Sequence, residues 1–249
     1  MAERKRIYFV CDVHLGLEVG DAAEREARFV GFLRSIPASE TRALYLLGDI
    51  WDFWYEYRSV VPKGSVRVLA LLQDLIDAGV EVYFMAGNHD LWCFSYFKEL
   101  GIRILEQPYR FEADGKWFCV GHGDGLGPVP LGYRLMHGIF TCRFAQALFS
   151  SLHPTLAFAF ARGWSRRNRL SHKPYRFRGA DEPLYKFAVA YAEEHPVDYF
   201  IFGHYHAQVD MTLPSGARLL MTKSWIDESP YWYWDGISVF LGQSKKIEK

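Results

Sequence analysis

Five short apolar runs along the chain each end on a cluster of polar residues. Ile7-Tyr8-Phe9-Val10 leads into Asp12 and His14, Ala43 to Leu47 into Gly48-Asp49, and Val80 to Met85 into Gly87-Asn88-His89-Asp90. Trp117 to Val120 precedes Gly121-His122-Gly123-Asp124, and Val197 to Phe202 precedes Gly203-His204-Tyr205-His206. Runs of this length bounded by glycine predict buried strands. Between them, Ala22 to Ser35, Ser65 to Ala78 and Asp181 to Glu194 carry the spacing of amphipathic helices able to cover a sheet face. Strands alternating with helices predict a layered α/β domain, whose sites form at the carboxyl ends of the strands. Near the end of the sequence, Gln208 to Thr212, Arg218 to Thr222 and Ile237 to Leu241 have the pattern of shorter, hairpin-type strands, expected to make a second sheet. The polar stretch Gln243 to Lys249 is expected to fray.

One segment has a different composition. Leu131 to Trp164 holds a pair of apolar helical runs rich in Phe and Leu, interrupted at His153-Pro154. From Gly125 to Ala180 there is no Asp or Glu, while Arg134, Arg143, Arg162, Arg166, Arg167, Arg169, Lys173, Arg176 and Arg178 are all present. Two structures suit this composition. One is a buried helical hairpin with arginines at its solvated ends. The other is a cap that offers an apolar groove and a cationic rim to an anionic lipid or phosphate ligand.

A chain of 249 residues with 50% hydrophobic and 17% aromatic content can bury a large core. Lys+Arg and Asp+Glu balance at 29 each, so overall charge creates no pull toward nucleic acid or a membrane. Cys11, Cys93, Cys119 and Cys142 make no CxxC pair, which suits free thiols in a reducing compartment and argues against a structural zinc knuckle. The apolar run after Arg4-Lys5-Arg6 is too short for a secretory signal, and no run approaches the ~20 apolar residues that span a bilayer. A cytoplasmic location is expected, with contact at a membrane surface still open.

Side chains repeat every two residues in an extended segment, so Asp12 and His14 are expected to project to one side. Alone, such a pair is as well explained by a strand end meeting solvent, and a lone Asn after Gly by a turn. Yet five of the nine histidines, His14, His89, His122, His204 and His206, fall in the strand-end clusters. Gathered together, Asp12, His14, Asp49, Asn88, His122, His204 and His206 form an oxygen and imidazole set suited to Mn²⁺, Fe²⁺ or Zn²⁺. Two ions suit this number of ligands better than one. A carboxylate such as Asp49 can bridge them, and water held between them becomes a nucleophile near neutral pH.

The ordered blocks Asp12-x-His14, Gly48-Asp49-x-x-Asp52, Gly87-Asn88-His89-Asp90, Gly121-His122-Gly123-Asp124 and Gly203-His204-Tyr205-His206 resemble the calcineurin-like metallophosphoesterases, over about residues 7 to 240. The resemblance implies a sandwich of two β-sheets flanked by helices. It implies that Asp12, His14, Asp49 and His206 hold one ion and Asp49, Asn88, His122 and His204 the other. His89 would sit over the phosphate as general acid or transition-state stabiliser, oriented with help from Asp90. Asp52 and Asp124 would fix imidazole tautomers or turn loops.

The length, the aromatic stretch Trp51, Phe53 and Trp54, and the insertion ending in Ser165-Arg166-Arg167-Asn168-Arg169-Leu170-Ser171-His172-Lys173 are similar to the UDP-2,3-diacylglucosamine pyrophosphatases of lipid A biosynthesis. That similarity implies one domain over residues 1–249 with a helical lid at about 126–180, and substrate contacts from Arg166, Asn168, Arg169 and Lys173. It also implies Mn²⁺ as the first choice of metal with Fe²⁺ or Zn²⁺ as alternatives, a nucleotide-linked lipid substrate, and peripheral contact at the inner face of the bacterial inner membrane. Two positions depart from the pattern of those enzymes: His89 stands where many have Arg, and Tyr205 where Thr is usual. The competing expectations are a phosphoesterase acting on a soluble nucleotide, phosphoprotein or nucleic acid, and a noncatalytic scaffold, which should lack the ligands this chain retains. Nucleic acid is disfavoured as a partner, and no protein partner is legible.

Overall fold

The structure, a computed structural model, describes residues 4–171, 175–226 and 228–244, with the backbone alone for 168–171. A six-stranded sheet contains four parallel strands, β1 (Arg6–Val10), β2 (Thr41–Leu47), β3 (Glu81–Met85) and β4 (Arg103–Leu105). A five-stranded sheet is built from β5 (Tyr109–Ala113), β6 (Lys116–Val120), β7 (Tyr199–Phe202), β8 (Val209–Thr212) and β9 (Arg218–Met221). Two further strands, β10 (Pro230–Trp234) and β11 (Val239–Gln243), return to the first sheet. Its order is β11-β10-β1-β2-β3-β4, and that of the second sheet is β5-β6-β7-β9-β8.

The sheets stack face to face, and strand periodicity decides which side chains lie between them. Ile7 and Phe9 of β1, and Ala43, Tyr45 and Leu47 of β2, meet Phe118, Val120, Ile201 and Leu220 of the second sheet. The alternate residues Tyr8, Val10, Leu44 and Leu46 face α1 (Ala22–Ser35), α2 (Val66–Asp77) and α3 (Tyr96–Glu99). On the far side of the second sheet, α7 (Pro183–Glu194) packs Leu184 and Ala188 on Phe200, Phe202 and Leu219. Each fully buried Phe or Leu of these layers contributes roughly 1.5–3 kcal/mol relative to exposure. The predicted two-sheet sandwich flanked by helices is therefore the architecture found.

Local signals set the helix ends. Asp21 caps α1 by accepting from the Glu24 N–H at 2.8 Å, and Pro183 begins α7, where its missing N–H costs nothing. Among the described residues three α-helices lie between β6 and α7: α4 (Leu131–Thr141), α5 (Arg143–Ser150) and α6 (Pro154–Ser171). The expected pair of apolar runs is corrected to three helices, because Cys142 takes an extended conformation and breaks the first run.

The expectation for the last strands also needs correcting. β8 and β9 do join the second sheet, but β11 belongs to the first, through β10. Strand β10 has no counterpart among the expected strands. It opens on proline, and its aromatic residues point to both faces, so no polar alternation marks it.

Candidate metal centre and the cavity beside it

In-register pairing brings the strand ends level. Val10 lies opposite Leu46, Leu47 opposite Met85, and Val120 opposite Ile201, so the residues that follow gather at one rim. The loops are then joined to one another: the Asp12 N–H donates to Gly48 O, His14 to Asp49 O, and Gly203 to His122 O. Gly48 is needed for this approach, since a Cβ there would stand 2.7 Å from both the Gly87 nitrogen and His122 Nδ1.

Asp12 and His14 converge, but not through the extended backbone expected of them. Asp12 (φ 54°), His14 (φ 52°), Asp49 (φ 52°), His204 (φ 69°) and His206 (φ 52°) all lie in the left-handed region. They are five of the seven non-glycine residues with positive φ among those described. Each such residue costs about 1 kcal/mol or more, a strain that persists only where the surrounding structure holds it.

His206 Nε2 lies 3.2 Å from His14 Nε2 and 3.3 Å from Asp12 Oδ1. Asp49 Oδ2 stands between two imidazoles, 3.8 Å from His14 Nε2 and 3.4 Å from His122 Nε2. Its other oxygen accepts the His89 backbone N–H at 2.9 Å, which fixes the carboxylate plane. Asn88 Oδ1 lies 3.3 Å from His122 Nε2 and 3.0 Å from His204 Nδ1. Asp12, in turn, accepts the His204 backbone N–H. The structure thus brings all seven sequence-selected ligands to one place. Asp12, His14 and His206 form one metal-competent group and Asp12, Asp49 and His122 another; His89 joins a third with His14 and Asp49.

The donor set fits cations. His122 Nδ1 donates to the Leu47 carbonyl at 3.0 Å, so Nε2 is the nitrogen facing Asp49 Oδ2 and Asn88 Oδ1. A neutral ring would direct a lone pair at two oxygens. Only a positive charge among these atoms, a proton or a metal ion, makes the contact favourable. Burial opposes charge on His122, but the Asp49 carboxylate holds its imidazolium well above the usual range. Burial likewise opposes charge on Asp49, yet His122 and His89 hold it well below the ordinary carboxylate value. Desolvation and the charge of His122 push His204 down to about 4, leaving its ring neutral with a lone pair to give. Among the described residues the ion-pair partners of Asp12 and Asp49 are all histidines. Asp12, His14, Asp49, Asn88, His122, His204 and His206 could hold two divalent ions, which would supply this positive charge.

His89 and Asp90 occupy different settings. His89 Nδ1 lies 2.9 Å from the Asp52 carbonyl and 3.4 Å from Asp52 Oδ1; a carbonyl only accepts, so Nδ1 carries the proton and Nε2 is left to the cavity that His89 lines. Asp52 Oδ1 also lies 3.4 Å from His14 Nδ1. The residue that steers His89 is thus Asp52. Asp90 instead spends its carboxylate on four backbone amides, those of Asp49 (3.1 Å), Ile50 (2.8 Å), Trp51 (3.2 Å) and Gly87 (2.8 Å). Burial and the neighbouring Asp49 push its pKa up to about 7, against the pull of those amides.

The inserted helices dock beside this centre. Tyr133 of α4 donates to Asp124 Oδ2 at 2.6 Å, and Ser165 of α6 donates to Asp52 Oδ1 at 2.9 Å. Trp92 Nε1 donates to Phe140 O and the Tyr55 hydroxyl to Gln146 O, both at 2.8 Å. A cavity of about 290 Å³ is lined by the apolar Phe53, Trp92, Phe140, Phe149 and Trp164 of the body and the insertion and, among its polar residues, by Asn88 and His89. Of the expected substrate contacts, Arg166 is exposed on α6 and does not line the cavity. Lys173 and the side chains of Asn168 and Arg169 lie outside the described residues. Sequence reasoning missed Ser165 and Tyr133 as anchors of the insertion, and no spacing rule would have paired them with Asp52 and Asp124.

Comparison with known proteins agrees with the geometry. The model of the calcineurin-like phosphoesterase family matches residues 5–208. A Porphyromonas gingivalis protein named UDP-2,3-diacylglucosamine hydrolase is 36% identical over 98% of this chain and 100% of its own. A Proteus mirabilis protein of the same name is 28% identical, covering 96% of each. In fold, the chain is similar to a dimetal phosphatase from Danio rerio, with TM-score 0.53 and 16% identity over 98% of this chain and 97% of that one.

Proposed function

The chain belongs to the calcineurin-like phosphoesterase family, and from that premise we propose that it hydrolyses the pyrophosphate of UDP-2,3-diacylglucosamine to UMP and 2,3-diacylglucosamine 1-phosphate. It is a metal-dependent hydrolase of phosphoester or pyrophosphate bonds. The observation that supports the choice of substrate is the apolar cavity that Asn88 and His89 also line: an acyl chain seated there would bring its phosphates toward the ligand cluster.

In this reading Asp12, His14, Asp49 and His206 hold one ion and Asp49, Asn88, His122 and His204 the other, with Mn²⁺ the expected metal. When bound, two divalent ions supply Lewis acidity and lower the pKa of water. The chain's own residues do the rest. Asp52 fixes the His89 tautomer with the proton on Nδ1, so that Nε2, when protonated, donates to the phosphate oxygen on which charge grows. Asn88 lines the cavity with His89 and orients the phosphate beside it. The aromatic walls exclude water from the acyl end.

The same insertion supports a reading of peripheral contact with the inner membrane. Leu131, Leu135, Phe144, Leu148, Leu156 and Phe160 on α4, α5 and α6 are each at least 63% exposed, alongside Arg134, Arg143, Arg162 and Arg166 and without a single acidic residue. That is the chemistry of a face resting on anionic lipid. Among the described residues no helix is long and apolar enough to cross a membrane.

The test is hydrolysis of UDP-2,3-diacylglucosamine in detergent with Mn²⁺, Fe²⁺ or Zn²⁺, with UMP quantified beside turnover of bis(4-nitrophenyl) phosphate. Strong preference for the lipid supports the assignment. Turnover of the small diester alone overturns the substrate and leaves the metal centre standing.

A further inference from the structure

A linear substrate lying across the ligand cluster has two ends, and the apolar cavity beside Asn88 and His89 accommodates only one of them. Adjoining Asn88 outside that cavity is the loop that carries His204 and His206, with His204 Nδ1 3.0 Å from Asn88 Oδ1. There the Tyr205 ring packs edge-on against His204, with centroids 4.9 Å apart. Tyr175 stacks on Tyr205 at 4.8 Å and 28°. Neither tyrosine lines the apolar cavity.

The stack is held from behind. The Tyr175 hydroxyl donates to Glu182, a carboxylate with no exposed surface, which also accepts the Arg178 backbone N–H at 3.3 Å and its guanidinium at 3.4 Å. A fully buried carboxylate is expensive unless several donors satisfy it, and here those donors fix the orientation of Tyr175. Tyr175 itself is 40% exposed. The result is a flat aromatic surface, fixed at one end, beside a metal-centre imidazole.

We propose that the Tyr205–Tyr175 stack is the shelf on which the nucleobase of the substrate rests, Tyr175 offering its outer face to the ring. The inference rests on the reading of the substrate as nucleotide-linked and adds where its base is bound. Stacking suits a base in particular, because every nucleobase has a π-face whereas a saturated sugar has none. Arg178, paired with Glu182, braces the stack from behind.

The test is calorimetric titration of the Mn²⁺-loaded full-length protein with UMP and, separately, with ribose 5-phosphate, which has the phosphate and sugar without the base. The shelf predicts that UMP binds more tightly than ribose 5-phosphate, that Tyr175→Ala weakens UMP by about tenfold while ribose 5-phosphate changes by less than about twofold, and that Tyr175→Phe, which keeps the ring, stays nearer the wild type. Equal weakening of both ligands would mean that the substitution disturbed the centre, and unchanged UMP affinity that the base lies elsewhere; either overturns the shelf. These titrations do not depend on lipid turnover, so failure of the shelf and failure to cleave UDP-2,3-diacylglucosamine are separately visible.

Discussion

Ser165 Oγ, on the last inserted helix, donates to Asp52 Oδ1 at 2.9 Å, and both side chains are buried. The same oxygen lies 3.4 Å from Nδ1 of His14 and 3.4 Å from Nδ1 of His89. One carboxylate atom therefore joins the insertion to a metal-centre imidazole and to the cavity-lining ring of His89. Ser165→Ala is expected to lower kcat by roughly three- to tenfold, the worth of about one hydrogen bond at the transition state. Ser165→Thr, which keeps the hydroxyl, should recover most of it. Steady-state kinetics of both variants would decide; wild-type turnover by the alanine variant would show that the joint has no catalytic consequence.

Asp49 is the residue whose loss both metal positions should feel, because its Oδ2 reaches imidazoles on both sides. Asp49→Ala is expected to reduce bound metal from two ions to fewer than one per chain and to cut turnover on the order of 10³-fold or more. Elemental analysis of the purified variant beside its rate checks this directly. Two retained ions would assign the bridge to another residue.

His89 should affect the rate without affecting the metal. Its ring is held by Asp52 and exposes Nε2 to the cavity, so His89→Ala is expected to lower kcat ~10²-fold or more at unchanged metal content. His89→Arg restores a cation at the same point and should keep more activity than alanine. A rate profile in which Ala and Arg are equal would remove charge from the explanation.

Much of this centre was legible in the sequence because each ligand follows a strand long enough to recognise, and glycine marks four of the five strand ends. Register pairing then does the assembly, which is why Asp12, Asp49, Asn88, His122 and His204 meet though up to 192 positions separate partners such as Asp12 and His204. What the sequence hid was relational. Nothing in Asp-x-His reveals that both residues sit at positive φ, since that strain is held by neighbouring loops. Nor does adjacency in Asn88-His89-Asp90 reveal that Asp52, 37 positions away, rather than Asp90, faces the His89 ring. Strand β10 was hidden for a different reason, its aromatic residues being useful to both layers at once.

The exposed apolar face of α4 and α5 makes a prediction about lipid. Leu135 and Phe144 are 67% and 79% exposed, so replacing both with Glu removes little packing, but it places two acids on a face that has none. The double variant is expected to lose most of its sedimentation with phosphatidylglycerol vesicles while keeping its circular dichroism spectrum. Undiminished sedimentation would move the membrane contact to another surface.

Asp90 touches no metal position directly, yet its carboxylate accepts the amides of Asp49, Ile50 and Trp51 from one loop and of Gly87 from another. Asp90→Ala would leave four buried donors without an acceptor, at about 1 kcal/mol or more each. Since 1 kcal/mol moves the Tm of a domain this size by roughly 2–4 °C, a fall of about 10 °C is expected. The loss should also spread to metal binding, because the Asp49 backbone that the clamp holds is left-handed and relaxes once released. Asp90→Asn separates the two effects: it keeps one acceptor oxygen but turns an NH₂ toward the remaining amides, so its Tm should fall by less than that of alanine while metal is still lost. Thermal melting with and without Mn²⁺ reads both quantities in one experiment. A variant that melts like the wild type would mean that water replaces the carboxylate and that the two loops hold their positions without it.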